Sequence, residues 1–433
     1  MKQNNAFSHK LRHKIIHILG NNDNFRFYTM NGILFTIVTI FTRTYAPKFM
    51  DRLGATSLHY SLLNSLPGLV AVLTTIPGII YIQNSKDKEK LMSRFFYISR
   101  FFPLLLVATP YLPLNIRGYV FVILFSLMNL PESIGQTALQ SWTGNIFRPH
   151  EVADALSIRN KLSQVTMIVF SILVGVLLSI SNSGDNTTVI LIYQGLFIAS
   201  LLFGIFEIRS LRKIKIVRPD LATKKLDLPK SLGSIFKHKQ YVIFLVCSLL
   251  FHFGWQMGWP LFSYFQISIL HADEKWLTII NVVNALAMVF SYNFWSSFIR
   301  KRGSKIATAF ACLGMATSPI LAVLSPNLPI YTLIGITMGF FTSGITVVIL
   351  GSLLESAAPD ETLLSIAVHQ TLINVTLFTS PFVGEIILQL SDINVAMFVS
   401  ALLRAIGALA FFLRWYFLDI KPTKLKKVKS GPK

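Results

Sequence analysis

The sequence predicts an all-α integral membrane protein of 12 transmembrane helices in two parallel six-helix repeats. Three observations carry that expectation. Hydrophobic residues make up 53% of the 433 and charged residues only 14%, whereas a soluble domain carries about a quarter charged residues. Apolar runs long enough to cross a bilayer core, roughly 20 residues each, recur along the chain. One long polar stretch interrupts them. Arg209–Lys239 holds ten Lys or Arg against Asp220 and Asp227, and it divides the apolar runs into two sets that resemble one another.

Taken in order, residues 7–19 (FSHKLRHKIIHIL) put Phe7, Leu11, Ile15 and Ile18 on one helical face and basic side chains on the rest. This reads as an interfacial helix on the inner leaflet or as a solvated basic tail. Six spans follow near 27–47, 58–82, 94–113, 117–141, 154–180 and 187–208. The second six lie near 241–268, 275–299, 304–325, 328–353, 363–390 and 394–417. The expected organisation is therefore a first half over 1–208, a cytosolic basic linker over 209–239, a second half over 240–418 and a basic tail over 419–433.

The net charge of +21 raises nucleic acid as a partner, but its distribution argues otherwise. With spans alternating from a cytosolic N-terminus and charges towards span ends counted with the nearer side, 33 Lys and Arg fall on the cytosolic side, 4 outside and 3 within spans. This is the positive-inside pattern, so the basic excess sets orientation, with both termini cytoplasmic and no nucleic-acid partner. Cys247 and Cys312 both fall in spans, which leaves no disulfide framework to expect. No cleavable signal peptide is expected from the polar, basic first 25 residues.

Internal repetition is the strongest architectural signal. Asn64 and Asn281 stand 217 residues apart in the second and eighth spans, and Pro103 and Pro319 stand 216 apart in the third and ninth. The turn Pro110-Tyr111-Leu112-Pro113 reappears 216 residues on as Pro326-Asn327-Leu328-Pro329. Arg148-Pro149-His150-Glu151 matches Ala358-Pro359-Asp360-Glu361 at 210, and Pro47 matches Pro260 at 213. Five ordered pairs indicate a duplicated six-helix unit, and an even number of spans gives both copies one orientation.

Two parallel six-span halves with a basic cytosolic connector resemble the major facilitator superfamily. The resemblance covers nearly the whole chain. The family's turn after the second and eighth spans, Gly-x-x-x-Asp-Arg-x-Gly-Arg-Lys, is partly present. Lys301, Gly303 and Lys305 match in the second copy, where Arg300 stands in the place of the Asp. Gly78 and Lys86 remain in the first, with Ile82 replacing the Asp. The resemblance implies that these residues form the inner-face gating turn. The Gly-Pro-x-x-Gly-Gly turn of proton antiporters is absent from the fifth span, and only Pro381-Phe382-Val383-Gly384 appears in the eleventh. The rival six-plus-six architecture, the multidrug and toxin extrusion family, fits the long connector and the Gly303 turn less well.

Polar groups inside hydrocarbon are expensive and point to a cavity or a partner. Glu132 lies about ten residues from the cytosolic end of the fourth span, roughly 15 Å deep at 1.5 Å per residue, and shares a helical face with Asn129 and Gln136. Pro131 beside it removes a backbone donor. The resemblance implies that the first and fourth spans of each half line the central cavity. Glu132 then reads as a protonatable coupling carboxyl, or as a structural ion pair with Arg100 or Arg159. In the seventh span His252, Gln256 and Trp259 fall on one face. Trp255 and Trp259 can stack a flat substrate or form part of the interfacial aromatic belt. Arg43 occupies the place in the first span that Gln256 holds in the seventh, and either faces the cavity or snorkels outward. Glu385 and Arg404 lie at depths that suit an ion pair between the last two spans. His369, near an inner end, reads as structural.

No Gly-x-x-x-x-Gly-Lys-Ser/Thr loop and no His/Cys cluster stands in the sequence, so neither a metal nor a cofactor is expected, and an ATP-driven pump is disfavoured. An enzyme is disfavoured as well, because Glu132, His252 and His369 are expected at scattered depths. The expectation is a monomeric secondary transporter in the bacterial inner membrane, working by alternating access with lipid around it. Its first form is proton-coupled efflux of a small amphipathic solute. Uptake of an organic anion or nutrient is second, and lipid-headgroup translocation third. The topology is directly testable. In a Cys-free background, Lys224→Cys and Asp185→Cys are expected to react on opposite sides of the membrane with an impermeant thiol reagent. Labelling of Lys224→Cys from outside intact cells would reverse the orientation.

Overall fold

Burying so much apolar sequence in lipid leaves the backbone one economical option, because every N–H and C=O must be satisfied within its own segment. The computed structural model takes that option, and it describes residues 23–83, 87–147, 149–181, 186–215, 233–357 and 362–420. Twelve long helices stand among the described residues: α1 (Asp23–Arg52), α2 (Ser57–Gln83), α3 (Lys88–Leu106), α4 (Leu114–Ile146), α5 (Pro149–Ser181) and α6 (Asn186–Leu211) come first. They are followed by α7 (Lys239–Tyr264), α8 (Glu274–Arg302), α9 (Ser304–Val323), α10 (Leu328–Leu354), α11 (Thr362–Leu390) and α12 (Ile393–Trp415). Eleven of the described helices are long and apolar enough to cross a membrane. The 7–19 segment, Lys86, the middle of the linker and the tail lie outside the described residues.

Local chemistry explains where the helices begin and break. Asp273, Asn327 and Asp392 cap α8, α10 and α12, each accepting the backbone N–H three residues on, which satisfies an orphan donor of the first turn. Pro103, Pro131, Pro260, Pro319 and Pro381 all lie inside helices. Between α8 and α9, Gly303 has φ +84°, a conformation side chains oppose. The glycine of the expected inner-face turn is thus required by the backbone. Its neighbour Arg300 donates to Ser297 Oγ at 3.0 Å.

The chain separates into two compact units, one within Met1–Gly54 and Leu73–Lys225, the other within Ala55–Val72 and Leu226–Lys433. In the first, α1 packs on α5 and α6, and α3 on α4 and α6. In the second, α7 packs on α11 and α12, and α9 on α10 and α12. Adding six to each helix number converts one set into the other, so the repeat read from sequence is also a repeat of packing.

Each unit has its own core. Phe25, Tyr28, Phe96 and Phe147 anchor that of the first unit, and Phe244, Phe251, Trp295 and Phe411 one in the second. The outward faces are apolar too: Val165, Val169, Ile172 and Val176 form an exposed stripe along α5, at the spacing of one helix face. In lipid such a stripe is solvated, not stranded. Trp295 is fully buried, donates its indole N–H to Phe340 O at 2.8 Å and is ringed by Phe294, Phe298, Phe310 and Phe341. Trp295→Ala is expected to lose about 3–5 kcal/mol, read as a lower melting temperature of the purified protein.

Candidate functional site

In the first unit the polar residues of α1, α3, α4 and α6 meet in one chain of charge. Midway along α1 the helix widens into a π-helical turn, Ile40–Thr44, a distortion common where helices carry function. Arg43 projects from that turn. Its Nη2 reaches Glu132 Oε1 at 2.7 Å and donates to Asn129 Oδ1 at 2.9 Å. Asn129 is held for this role, because its own amide donates to Phe125 O at 2.8 Å.

The other oxygen of Glu132 accepts from Arg100 Nη1 and from Ser99 Oγ, the latter at 3.1 Å. Arg100 continues the chain, donating from Nε and Nη2 to the two carboxylate oxygens of Glu207 at 2.9 and 3.0 Å. This is the bidentate fork in which Arg–carboxylate pairs are strongest. Phe35 and Phe96 lie near the guanidinium at 5.5 and 5.8 Å. Opposite its stem stands Gly204, where a Cβ would come within 2.7 Å of Arg100 Cγ and Cδ, so a side chain there would displace the arginine.

Exposure grades this chain. The side chain of Arg43 is 25% exposed, that of Glu132 6%, and those of Arg100 and Glu207 1% each. Two cations and two anions balance, as the low-dielectric interior demands. Arg159, the other partner expected for Glu132, instead donates to Tyr28 Oη and Asn31 Oδ1 at 3.2 and 3.3 Å. Gln136 joins neither group, and its Nε2 is buried without a hydrogen-bond partner.

Glu207 is the residue that sequence reasoning missed. It falls at the end of the sixth span expected over 187–208 and was not singled out there, whereas the structure buries it inside α6. The signal was the spacing of Gly204 and Glu207 on one helical face.

In the second unit α7 presents His252, Trp255, Gln256 and Trp259. His252 and Gln256 are buried and the two indoles half-buried. His252 and Trp255, and then Trp255 and Trp259, have ring centroids 5.6 Å apart. Gln256 Oε1 accepts from Thr376 Oγ1 at 2.6 Å. The histidines are not scattered in depth, as the sequence suggested. His369 Nε2 and His252 Nδ1 both meet Ser248 Oγ, at 2.7 and 3.2 Å, and the rings are 5.9 Å apart.

The ion pair expected between Glu385 and Arg404 does not form. Glu385 accepts from Ser57 Oγ at 2.6 Å, Ser61 Oγ at 3.0 Å and Gln389 Nε2 at 2.8 Å. Arg404 donates to the carbonyls of Gly254, Trp255 and Met315, each at 3.2 Å, and to Ser318 Oγ at 2.8 Å. Similar depth was the whole basis for pairing them, and depth does not fix the direction in which a side chain leaves its helix. Of the inner-face residues, Gly78 is buried against Ile134, Lys301 and Gly303 are exposed and Lys305 is half-buried.

Comparison with known proteins places this arrangement. The chain resembles in structure a variant of the nucleoside transporter NupG, with TM-score 0.68 and 13% identity over 91% of this chain and 100% of that one. It also resembles a variant of the E. coli fucose:proton symporter FucP, with TM-score 0.60 and 11% identity over 90% and 97% of the two chains. At such identity these likenesses show a shared fold. No curated protein matches it in sequence. The sequence model of the Major Facilitator Superfamily matches residues 25–363 and again 244–432. With twelve helices in two copies of one packing scheme, the chain belongs to the Major Facilitator Superfamily and is a membrane transport protein, not an enzyme.

Proposed function

We propose that the chain is a proton-coupled secondary transporter of a small amphipathic, ring-bearing solute, with Glu132 as the coupling carboxyl. One observation carries the reading: the two oxygens of Glu132 face two different cations, one sealed and one partly exposed. A proton arriving on Oε1 removes the charge that holds Arg43. The guanidinium and Asn129 Oδ1 are then free to engage a solute, while Arg100 keeps its fork on Glu207. Departure of the proton restores the Arg43–Glu132 pair and expels the solute from those groups. Protonation of one side chain thus favours solute binding, a positive linkage that couples the two.

Around this exchange the two repeats work by alternating access, with residues 1–208 and 240–418 as transport halves and 209–239 as a cytosolic connector. Trp255, Trp259, Gln256 and His252 supply the ring-binding face, and Lys86, Lys301, Gly303 and Lys305 the inner-face turn. The protein sits as a monomer in the bacterial inner membrane with both termini inside, oriented by its 33 cytosolic basic residues against 4 outside. Efflux is the first reading of direction. Uptake is the second, supported by the symporter among the structural neighbours and by this linkage, which loads proton and solute together. With proton and solute loaded together an inward proton gradient drives uptake, whereas efflux needs the two loaded in turn.

Two substitutions separate coupling from scaffolding. Glu132→Gln fixes the neutral state and is expected to abolish pH-gradient-driven accumulation in reconstituted vesicles while solute exchange survives. Continued accumulation in response to the gradient would remove Glu132 from the mechanism. Glu207→Gln strips the sealed Arg100 of its bidentate partner and is expected to cost about 3–5 kcal/mol, seen as a lower melting temperature. Glu132→Gln should destabilise less than Glu207→Gln, because Arg43 reaches the surface and Arg100 retains Glu207. Equal losses of stability would make both carboxylates structural.

A further inference from the structure

His252 carries a bare acceptor on a buried ring. Its Nδ1 lies 2.8 Å from the carbonyl oxygen of Ser248, an atom that can only accept, so the ring hydrogen sits on Nδ1. The Ser248 hydroxyl backs the same nitrogen at 3.2 Å and is itself held by His369 Nε2 at 2.7 Å. In the neutral imidazole this tautomer leaves Nε2 with a lone pair and no hydrogen. His252 is 5% exposed, and Nε2 has no hydrogen-bond partner among the described residues. The ring is buried, but Nε2 is not among the sealed atoms that lack a partner, so it is open to a donor from a ligand.

The surroundings of that lone pair are flat and aromatic. Trp255 and Phe251 pack beside the imidazole with ring centroids at 5.6 and 5.8 Å, and Trp259 extends the row beyond Trp255. Both indoles retain exposed surface. The neighbouring acceptor, Gln256 Oε1, is already occupied by Thr376. An aromatic row with one unfilled acceptor at its end asks for a flat ligand carrying one donor on its rim.

From this geometry we infer that His252 Nε2 is a specificity-determining acceptor, and that the transported solute bears an N–H or O–H donor on a planar ring stacked against Trp255. Ser248 and His369 are positioning residues that fix the tautomer. The inference rests on the reading of this face of α7 as solute-facing, and it deepens that reading by naming the solute's chemistry. It requires no proton gradient, so it can fail while the coupling role of Glu132 stands, or survive that role's failure.

Matched ring probes test it on the purified full chain in lipid nanodiscs. Indole is paired with 1-methylindole and phenol with anisole, so that each pair differs in the donor. Binding is followed by ligand-observed NMR and by the nitrogen-15 resonance of His252 Nε2. The donor-bearing member of each pair is expected to bind about tenfold more tightly, the scale of one hydrogen bond. Only that member should shift the Nε2 resonance. His252→Phe should erase the preference, and Trp255→Ala should weaken both members of each pair. Equal binding of the methylated probes, a preference that persists in His252→Phe, or a signal that neither variant lowers, which is partitioning into the bilayer, overturns the inference. The Nε2 shift in the unmutated protein decides the matter even where a variant fails to fold.

Discussion

The fold of the first unit depends on one electrostatic constraint: Arg100 is fully buried and must be neutralised where it stands. An isolated guanidinium in hydrocarbon is prohibitively costly, and pairing recovers that loss only with good geometry and full hydrogen bonding. Arg100 meets the condition with Glu207 on α6, Glu132 on α4 and Ser99 on its own helix. Three helices are thereby held at fixed separation and rotation. The glycine at position 204 and the aromatic rings of Phe35 and Phe96 are consequences of making room for that side chain and lining its flanks.

The second unit solves a related problem by different means. Arg404 is as deeply buried as Arg100, yet its hydrogen bonds go to backbone carbonyls and a serine hydroxyl. A polarised carbonyl neutralises less charge than a carboxylate, but it cannot be protonated. The two units therefore differ in what acidity can do to them. The first carries ionisable links between helices, and in the second the corresponding clamp is inert.

Much of this was legible in the sequence, and the residues show why. Helix number, span order and duplication follow from hydropathy and from pairs such as Pro103 and Pro319, which depend on one dimension only. The importance of Glu132 was legible too, since an acid deep in an apolar run is conspicuous. Its contact with Arg43, a residue read only as cavity-facing or snorkelling, was hidden, because Arg43 lies in a π-helical turn that shifts the helical register. Glu207 was hidden because its place in the chain, a few residues from a basic linker, resembles that of any solvated carboxylate. Its meaning comes from Arg100, 107 residues away. Glu385 and Arg404 show the reverse error, a pairing inferred from depth where helix rotation sends the side chains to other partners. Ser248 carried no signal, since a serine inside a helix is ordinary until two imidazoles converge on it.

The grip of Arg404 has an evolutionary consequence. It holds α7 through the carbonyl oxygens of Gly254 and Trp255 and never through their side chains. Every residue type supplies the same carbonyl, so the side chain at position 255 can be exchanged without loosening the anchor that places it. On the proposed reading, folding and recognition are then written in different atoms of the same residue. A descendant of this chain can change the ring at position 255 while the carbonyl that Arg404 holds stays in place.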